Sequence, residues 1–421
     1  MLTRPVPEVG APRAKIVFVN RYFYPDESAT SRMLSDLTFR LARRGISVAV
    51  VTSRQLYDDP HADLPAHELV SGVTVHRVAT ATRGRTRLAG RAADYLSFHV
   101  AAGAKLFALL TSGDVVVAKT DPPLISVVTS HIARVRRAQL VNWLQDVFPE
   151  VAVALGMSTI PGWVANALRS LRDRSLRRAA VNIVLGERMR DHLLALGIEA
   201  KRIRVVPNWA DTCQVTPLQT AQSVTRQKLG LGGRFVIGYS GNLGRAHEFD
   251  TLLGAARLLR EDARFAFLIT GAGAKAASLR RAAESESLNN FHFLPFQPPE
   301  LLSDSLSAAD AHLISLLPAL EGLIVPSKLY GILAAGRPAV FIGDPDGEVA
   351  RVIREHNCGV AVAVGDSGRL AAELRSMLDT PRRLEVMGGN ARRLAEERYT
   401  SDHAVAAWSQ MLESIAPHVV R

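Results

Sequence analysis

Short apolar runs alternate with amphipathic stretches along almost the whole chain. Residues 15–20 (KIVFVN) are rich in β-branched side chains, which is typical of a buried parallel strand. A stretch with helical periodicity follows over 31–44, and Gly45 is placed to end it. Alternation of this kind predicts an α/β fold with doubly wound parallel sheets.

The alternation starts again after residues 207–209, with strand-like runs at 235–239 (FVIGY), 265–270 (FAFLIT) and 339–342 (AVFI). A chain of 421 residues is also longer than one hydrophobic core usually supports. Ligands of such sheets bind beyond the carboxyl ends of the strands, so we expect a cleft between two facing domains. We predict a flexible lead over 1–14, a first domain over 15–206, a second over 207–398, and a helical segment over 399–421 that packs back on the first domain.

Positive charge is concentrated in the first half of the chain. Residues 1–200 contain 26 Lys and Arg against 17 Asp and Glu, a net charge of +9, whereas residues 201–421 contain 25 against 23. Such an excess predicts an acidic partner: nucleic acid, an anionic membrane or a phosphorylated substrate. Aromatic residues make up only 6% and no nucleic-acid-binding motif is recognisable, so we expect no nucleic acid. Solvated arginine-rich helix faces are the alternative explanation of the charge.

The longest apolar stretch, residues 95–110, contains His99 and Lys105 and is shorter than the roughly 20 residues that a membrane span needs. It fits either a buried helix with one surface edge or a helix that lies in a membrane interface. The second interpretation gains weight from four arginines just before the stretch: Arg83, Arg85, Arg87 and Arg91. The two cysteines, Cys213 and Cys358, suit a reducing compartment.

Two glycine-containing loops follow strands of the second half. A Gly-x-x-Gly loop directly after a strand allows backbone N–H groups to approach an anion, and nearby basic side chains add positive charge. A tight turn is the alternative role for the first loop, and the second lacks the third glycine of a dinucleotide-binding turn. The two loops supply seven candidates for binding an anionic donor: Gly241, Asn242, Gly244, Arg245, His247, Gly271 and Gly273.

A third loop combines an acidic, a hydroxyl and a basic side chain in front of a short helix. Glu321 is followed by Pro326-Ser327-Lys328, and Gly336 ends the helix before the strand at 339–342. We expect Ser327 to cap a helix that begins with Lys328. The start of a helix offers free N–H groups to a diphosphate, and Lys328 adds a point charge. A solvated first-turn lysine is the alternative.

In this order and spacing, the motifs resemble the family-4 glycosyltransferases with the two-domain GT-B fold. The similarity is greatest to the branch that acts in bacterial exopolysaccharide and O-antigen assembly, which includes fucosamine transferases. The segments that carry the resemblance span nearly the whole chain and include KIVFVNRYFYPDESATSRMLSDLTFRLARRG, WLQDVFPE, VVPNWAD, YSGNLGRAHEFDTLL and EGLIVPSKLYGILAAGRP. The resemblance implies two Rossmann-like domains around a central cleft.

The resemblance also assigns roles to the second domain. EGLIVP places Glu321 at the first of the family's two signature glutamates, where it would hold sugar hydroxyls. The second falls at Leu329 or Gly331, neither of which is acidic. The family's usual Arg and Lys after the domain's first strand correspond to Asn242 and His247, and Arg245 is placed to compensate. Three further donor contacts are implied: Glu348, for which a surface helix start is the alternative, and Phe296 and Gln297 beside the nucleotide base.

In the first domain, the loop after the first strand holds Ser28 and Thr30, which are candidates for donor phosphate or acceptor, with helix capping as the competing role. Gln145 and Asp146 occupy the loop in which many relatives have a histidine. We expect Gln145 to contact the acceptor and Asp146 to orient its hydroxyl, with a loop or capping aspartate as the alternative.

The resemblance implies a retaining transfer of a sugar from a nucleotide diphosphate sugar, without metal or another cofactor. We expect a UDP-linked donor, an N-acetylated amino or deoxy sugar among the options, so a hexosyl- or N-acetylhexosaminyltransferase. The expected acceptor is a lipid-diphosphate-linked sugar or a glycan in cell-surface polysaccharide synthesis. The expected catalytic residues are Lys328 for the leaving group, Glu321 and Asp146.

The basic first half then predicts a cytoplasmic enzyme, peripheral on the inner face of the anionic membrane. Two other functions share the same features. A sugar-nucleotide epimerase of the same fold would use the diphosphate site without an acceptor, and a non-catalytic protein would bind the sugar nucleotide without turnover.

Overall fold

The computed structural model describes residues 14–83, 88–157 and 161–420. Except for Ala14, the predicted lead lies outside these ranges, as do Arg85 and Arg87. The apolar runs of the first half form eight strands: β1 Ile16–Val19, β2 Val48–Ser53, β3 His67–Val70, β4 Val73–Val78, β5 Val115–Lys119, β6 Gln139–Trp143, β7 Val181–Val184 and β8 Ile203–Val205. The second half adds six: β9 Phe235–Ser240, β10 Phe265–Thr270, β11 Phe291–Leu294, β12 Ala311–Ser315, β13 Ala339–Gly343 and β14 Gly359–Ala363.

The helices fall between these strands in chain order. In the first half they are α1 Ala29–Arg43, α2 Leu88–Leu109, α3 Ile125–Arg136, α4 Glu150–Ala154, α5 Gly162–Arg178 and α6 Glu187–Ala195. In the second they are α7 Val224–Lys228, α8 Asp250–Leu258, α9 Ala276–Ser285, α10 Leu302–Ser307, α11 Lys328–Ala334, α12 Glu348–Glu355, α13 Ser367–Asp379, α14 Pro381–Arg398, α15 Ser401–Ile415 and α16 Pro417–Val420.

The strands form two separate sheets, with the orders β3-β4-β2-β1-β5-β6-β7-β8 and β11-β10-β9-β12-β13-β14. Neighbouring strands are parallel throughout, except that the edge strand β3 runs antiparallel to β4. The predicted fold class, two doubly wound α/β sheets, is therefore confirmed. The β3 edge was missed because HELV is short and half polar, so it carries little strand signal.

Each sheet is covered on both faces, as the apolar runs require. In β1, Ile16 and Phe18 pack with Leu34 of α1, whereas Val17 packs on the opposite face with Phe98 of α2. Alternate side chains of one strand thus enter two different cores, which explains why the strand is apolar at every position. None of the described helices is long and apolar enough to cross a membrane.

The C-terminal helix returns to the first sheet after the second domain is complete. The chain crosses between the two domains twice, near Ala210 and near Tyr399. The Ala210 N–H donates to the Tyr399 carbonyl over 2.9 Å, so these two crossings lie side by side. The Trp408 ring of α15 then lies 5.9 Å from Phe18 and 4.9 Å from Trp143, between ring centroids. The helix at the end of the chain is therefore part of the first domain's core.

The carboxyl ends of the two sheets face each other. The loop after β6 contacts the loop after β12, where Val147 N–H donates to the Leu323 carbonyl over 2.9 Å and Asp146 forms an antiparallel bridge with Ile324. Candidate residues from strand ends of both domains are thereby gathered along one boundary.

Candidate active site between the two sheets

The loops after β9 and β10 lie directly on each other. Gly241 and Gly271 have φ angles of 130° and 135°, in the region that favours glycine. A Cβ on Gly271 would lie 2.0 Å from the Gly241 carbonyl oxygen, and one on Gly273 would lie 2.4 Å from Asn242 Oδ1. Glycine is therefore required by close packing within this pair of loops.

Several N–H groups of these loops are already engaged. Gly241 N–H donates to the Thr270 carbonyl over 2.9 Å, and Gly271 N–H donates to the Leu294 carbonyl over 2.9 Å. The prediction that the glycine-loop N–H groups bind an anion is wrong for these two, because they join neighbouring strands. The N–H groups of Asn242 and Gly244 donate to no other described residue and remain available to a ligand.

Lys328 extends from the start of α11 to the glycine loop. Its Nζ donates to Tyr239 Oη over 2.8 Å and to His247 Nε2 over 3.2 Å, and lies 4.4 Å from the centroid of the Tyr239 ring. Within the described ranges, no carboxylate forms an ion pair with Lys328. Burial lowers the pKa of Lys328 to about 7. An anionic ligand at Nζ would stabilise the charged form.

His247 is the neutral partner of Lys328. Its Nδ1 donates to the Ser315 carbonyl, which leaves Nε2 to accept from Lys328. Burial, aided by the Lys328 charge, lowers the pKa of His247 to about 3. The prediction that His247 adds positive charge is therefore wrong. The His247 carbonyl accepts a hydrogen bond from Lys275 Nζ. This second lysine beside His247 was not predicted, although it directly follows the strand-end GAGA.

Two other predicted residues make less contact than expected. Ser327 precedes α11, but its φ of −65° and ψ of −21° are already helical and its side chain makes no capping bond. The predicted cap is therefore wrong. Arg245 is exposed, and no hydrogen bond or ion pair joins it to another described residue.

Glu321 lies at the start of the loop that leads to Lys328 and α11. Its Oε2 accepts from the Glu348 N–H over 3.1 Å, and its Oε1 is buried with no partner among residues that the structure describes. Burial raises the pKa of Glu321 to about 6; the hydrogen bond from the Glu348 N–H opposes this, and the Asp344 and Glu348 charges add smaller upward contributions. One carboxylate oxygen is thus held by a hydrogen bond, and the other makes none to the described residues.

Glu348 was predicted either to contact the donor or to lie at the start of a surface helix. In the structure its side chain contacts the first domain. Its Oε2 accepts from the Arg188 N–H of α6 over 2.9 Å, and its Oε1 accepts from Arg351 over 2.7 Å. The residue is 9% exposed. Both oxygens therefore accept hydrogen bonds within the protein, and the donor role of Glu348 stays a prediction.

Asp146 faces the boundary from the first domain. Its Oδ1 is buried without a partner in the described structure. Burial raises its pKa to about 7; the Asp121 charge adds to this, whereas a hydrogen bond with Thr120 opposes it. Gln145 exchanges hydrogen bonds of 3.3 Å with Asn208 in the segment between the domains. Asp121 was missed, although it follows β5, the strand beside β6.

The other predicted residues lie at the margins of the boundary. Ser28 Oγ donates to Asp26, and the Thr30 carbonyl accepts from buried Lys119 Nζ over 3.0 Å. Neither side chain caps α1, since no capping bond is made at its start. Phe296 and Gln297 follow β11, next to the Gly271 loop; Phe296 is exposed, and Gln297 Nε2 donates to the Pro295 carbonyl over 3.0 Å.

The arrangement offers charge stabilisation and hydrogen bonding. Lys328 and the glycine loop supply a cation and free N–H groups, and Glu321 and Asp146 each supply a carboxylate with an oxygen that makes no hydrogen bond to the described residues. Among the residues that the structure describes, no group of three His, Cys, Asp or Glu side chains is placed to hold a metal ion. These residues therefore suit a ligand that carries both an anion and hydroxyl groups.

Two family descriptions match consecutive parts of the chain. The Glycosyl transferase 4-like domain matches residues 29–209, and Glycosyl transferases group 1 matches residues 222–394. WbjE of Pseudomonas aeruginosa, described as a probable glycosyltransferase, is 26% identical over 297 residues, which are 70% of this chain and 73% of WbjE. WcaI of Escherichia coli strain K12, assigned to colanic acid biosynthesis as a glycosyl transferase, is 26% identical over 272 residues, which are 63% of this chain and 66% of WcaI.

A solved structure shares the fold. HepE of Anabaena, crystallised in complex with UDP, superposes with a TM-score of 0.71 at 16% identity, over 95% of this chain and 100% of HepE. This similarity confirms the predicted GT-B architecture, and the two family matches cover both of its sheets. The chain therefore belongs to the glycosyltransferases that join a 4-like domain to a group 1 domain.

Proposed function

We propose that this protein transfers a sugar, with retention of configuration, from a UDP-linked donor to a lipid-diphosphate-linked sugar or glycan in cell-surface polysaccharide synthesis. The observation that carries the proposal is Lys328, a partly buried lysine beside the Gly241 loop that forms no ion pair with a described carboxylate. The named roles of WbjE and WcaI, and the UDP bound to HepE, support the donor and the process.

The proposed mechanism depends on stabilising the negative charge of the leaving group. Cleavage of the sugar–diphosphate bond builds negative charge on the departing UDP, and a positioned cation stabilises that charge. Lys328 has a pKa of about 7, so the arriving diphosphate would draw it into the protonated form. The N–H groups of Asn242 and Gly244 would add neutral donors, and we propose that no metal is required.

The carboxylates would act on the sugars. Glu321 has one free oxygen, Oε1, with which it would accept a hydrogen bond from a donor hydroxyl. Asp146, across the boundary, would orient the acceptor hydroxyl, and the departing phosphate would take its proton. The UDP-linked sugar itself is proposed to be an N-acetylated amino or deoxy sugar, as in the fucosamine-transferring branch.

The proposed acceptor fits a feature of α2. Leu96 and Val100 are each 66% exposed and Phe107 is 48% exposed, at spacings of four and seven residues that place them on one helix face. Arg91 lies in the first turns of α2 and Arg83 precedes the helix in the sequence, and each basic residue near an anionic membrane contributes about 1 kcal/mol. We therefore propose peripheral binding to the inner face of the cytoplasmic membrane through α2.

Thermal stability with nucleotides tests the donor site. UDP should raise the melting temperature of the wild-type protein, and Lys328→Ala should abolish most of the shift because it removes the cation of the diphosphate site. Lys201→Ala, at a lysine that is 76% exposed and paired with Glu199, is the matched control and should retain the shift. Equal shifts in both variants would remove Lys328 from the donor site, and no shift with any nucleoside diphosphate would refute the proposal.

A further inference from the structure

Residues 321–325, the Glu321 loop, belong to the second domain but are held by the first. Val147 N–H donates to the Leu323 carbonyl over 2.9 Å, and Asp146 forms a bridge with Ile324. A Cβ on Gly322 would lie 3.0 Å from the Arg188 carbonyl oxygen. The conformation of this loop therefore depends on contact between the domains.

A second interdomain contact lies beside it. The Glu348 carboxylate accepts from the Arg188 N–H over 2.9 Å, and Arg188 Nε donates to the Asp346 carbonyl over 3.1 Å. A Cβ on Gly186 would lie 2.6 Å from Glu348 Cδ. Only glycine at 186 allows the buried carboxylate to reach the start of α6.

The two contacts meet at Glu321. The Glu348 N–H donates to Glu321 Oε2 over 3.1 Å, and a Cβ on Gly347 would lie 2.2 Å from Glu321 Oε1. The residue that binds the first domain through its side chain thus holds Glu321 through its backbone. A shift of Glu348 would move the hydrogen bond that orients Glu321.

We propose that Gly186, Arg188 and Glu348 form an interdomain latch that positions Glu321 for the donor sugar when the domains are closed. The latch residues are positioning residues: they act through Glu321 and need not touch the substrate. The inference rests on the proposed function, because it gives Glu321 the donor sugar as its ligand.

Gly186→Ala tests the latch from the far domain. The φ of −167° and ψ of 171° at Gly186 are extended, so alanine is tolerated by the backbone and only the Glu348 contact is disturbed. Gly162→Ala is the control, because it is also at the start of a first-domain helix and a Cβ there would meet nothing within 4 Å. Gly186→Ala should lower kcat by about 10- to 100-fold, as expected for a misplaced positioning group, with donor KM within about twofold.

Two further measurements separate positioning from loss of folding. Glu348→Ala should lower kcat as Gly186→Ala does, and the double variant should be no worse, because both remove one contact. Rescue by Glu348→Ala would contradict the latch. The acidic limb of kcat/KM should move to lower pH in Glu348→Ala, since this variant relieves the burial that raises the Glu321 pKa to about 6 and removes the Glu348 charge that raises it further. The backbone N–H of residue 348 and the Arg188 charge, which lower the pKa, and the Asp344 charge, which raises it, are all retained.

Hydrogen exchange reports the latch independently of turnover. Amides of segments 321–326 and 345–350 should exchange faster in Gly186→Ala than in wild type, and at the wild-type rate in Gly162→Ala. Identical exchange in the two glycine variants would overturn the latch. Absence of sugar transfer by the wild-type protein would instead overturn the proposed function, and the exchange result would still decide the latch.

Discussion

At the scale of the residue, Lys328 is the main candidate for binding a diphosphate because no neighbouring side chain compensates its positive charge. Its neighbours are a phenol and an imidazole whose pKa is lowered to about 3, so neither supplies a negative charge. Burial disfavours the ammonium and lowers its pKa to about 7. A diphosphate would reverse this effect, so binding and protonation of Lys328 should be linked.

The linkage predicts how donor affinity depends on pH. Below about pH 7 Lys328 is charged before the donor binds; above it, binding must also take up a proton. The affinity for UDP-N-acetylglucosamine, measured by calorimetry, should therefore fall by up to about tenfold per pH unit between pH 7 and 9. Lys328→Arg keeps its charge over this range and should bind with a flatter profile. An equally steep fall in Lys328→Arg would assign the dependence to another group.

The sequence could predict Lys328 and Glu321 because motif spacing marks them, but it could not predict their environments. The charge state of His247 follows from burial and from Ser315, which is 68 residues away in the chain. The interdomain contact of Glu348 was not predicted, for the same reason. Its partner Arg188 is 160 residues away, and no local pattern encodes such a contact.

At the scale of the element, α2 shows why its sequence left two interpretations open. The helix buries Phe98, Ala102 and Leu106 against the first sheet, so one of its faces is core. Its other face exposes Leu96 and Val100. The buried-helix interpretation therefore holds for one face, and the membrane-interface interpretation stays a prediction for the other. A helix with two apolar faces has no periodicity that identifies either.

The outer face of α2 predicts membrane binding. Leu96→Asp with Val100→Asp should reduce sedimentation with anionic vesicles by about tenfold or more, because apolar area is lost and negative charge is added. Leu69→Asp is the matched control, since Leu69 is 72% exposed on the edge strand β3 of the same domain. Equal loss in the control would indicate general charge repulsion, and unchanged binding of the double variant would exclude α2 as the contact.

Other elements show where local patterns suffice. The apolar runs that became β1, β9 and β10 were placed to within a residue or two, because buried parallel strands are apolar at every position. The expected cap at Ser327 failed because the residue is already helical. Capping depends on backbone angles that the residue type favours but does not determine.

At the scale of the whole molecule, three tryptophans join the first domain to the chain crossings. Trp143 of β6 stacks on Trp209 with centroids 6.1 Å apart and contacts Trp408 of α15. Trp209 also donates to Asp36 of α1 over 2.7 Å. The first domain is thus fixed to both crossings, while the active-site boundary is formed by separate loops. Closure around a donor would act on those loops, including the Glu321 loop.

The central claim is that Lys328 stabilises the departing UDP during sugar transfer between the two domains. The most direct test is the transfer rate of Lys328→Ala on a lipid-diphosphate sugar, compared with Lys201→Ala and wild type at saturating donor. We predict a loss on the order of 10²-fold or more for Lys328→Ala and wild-type rates for the control, as for other charged transition-state contacts. A rate for Lys328→Ala within about twofold of wild type would contradict the mechanism.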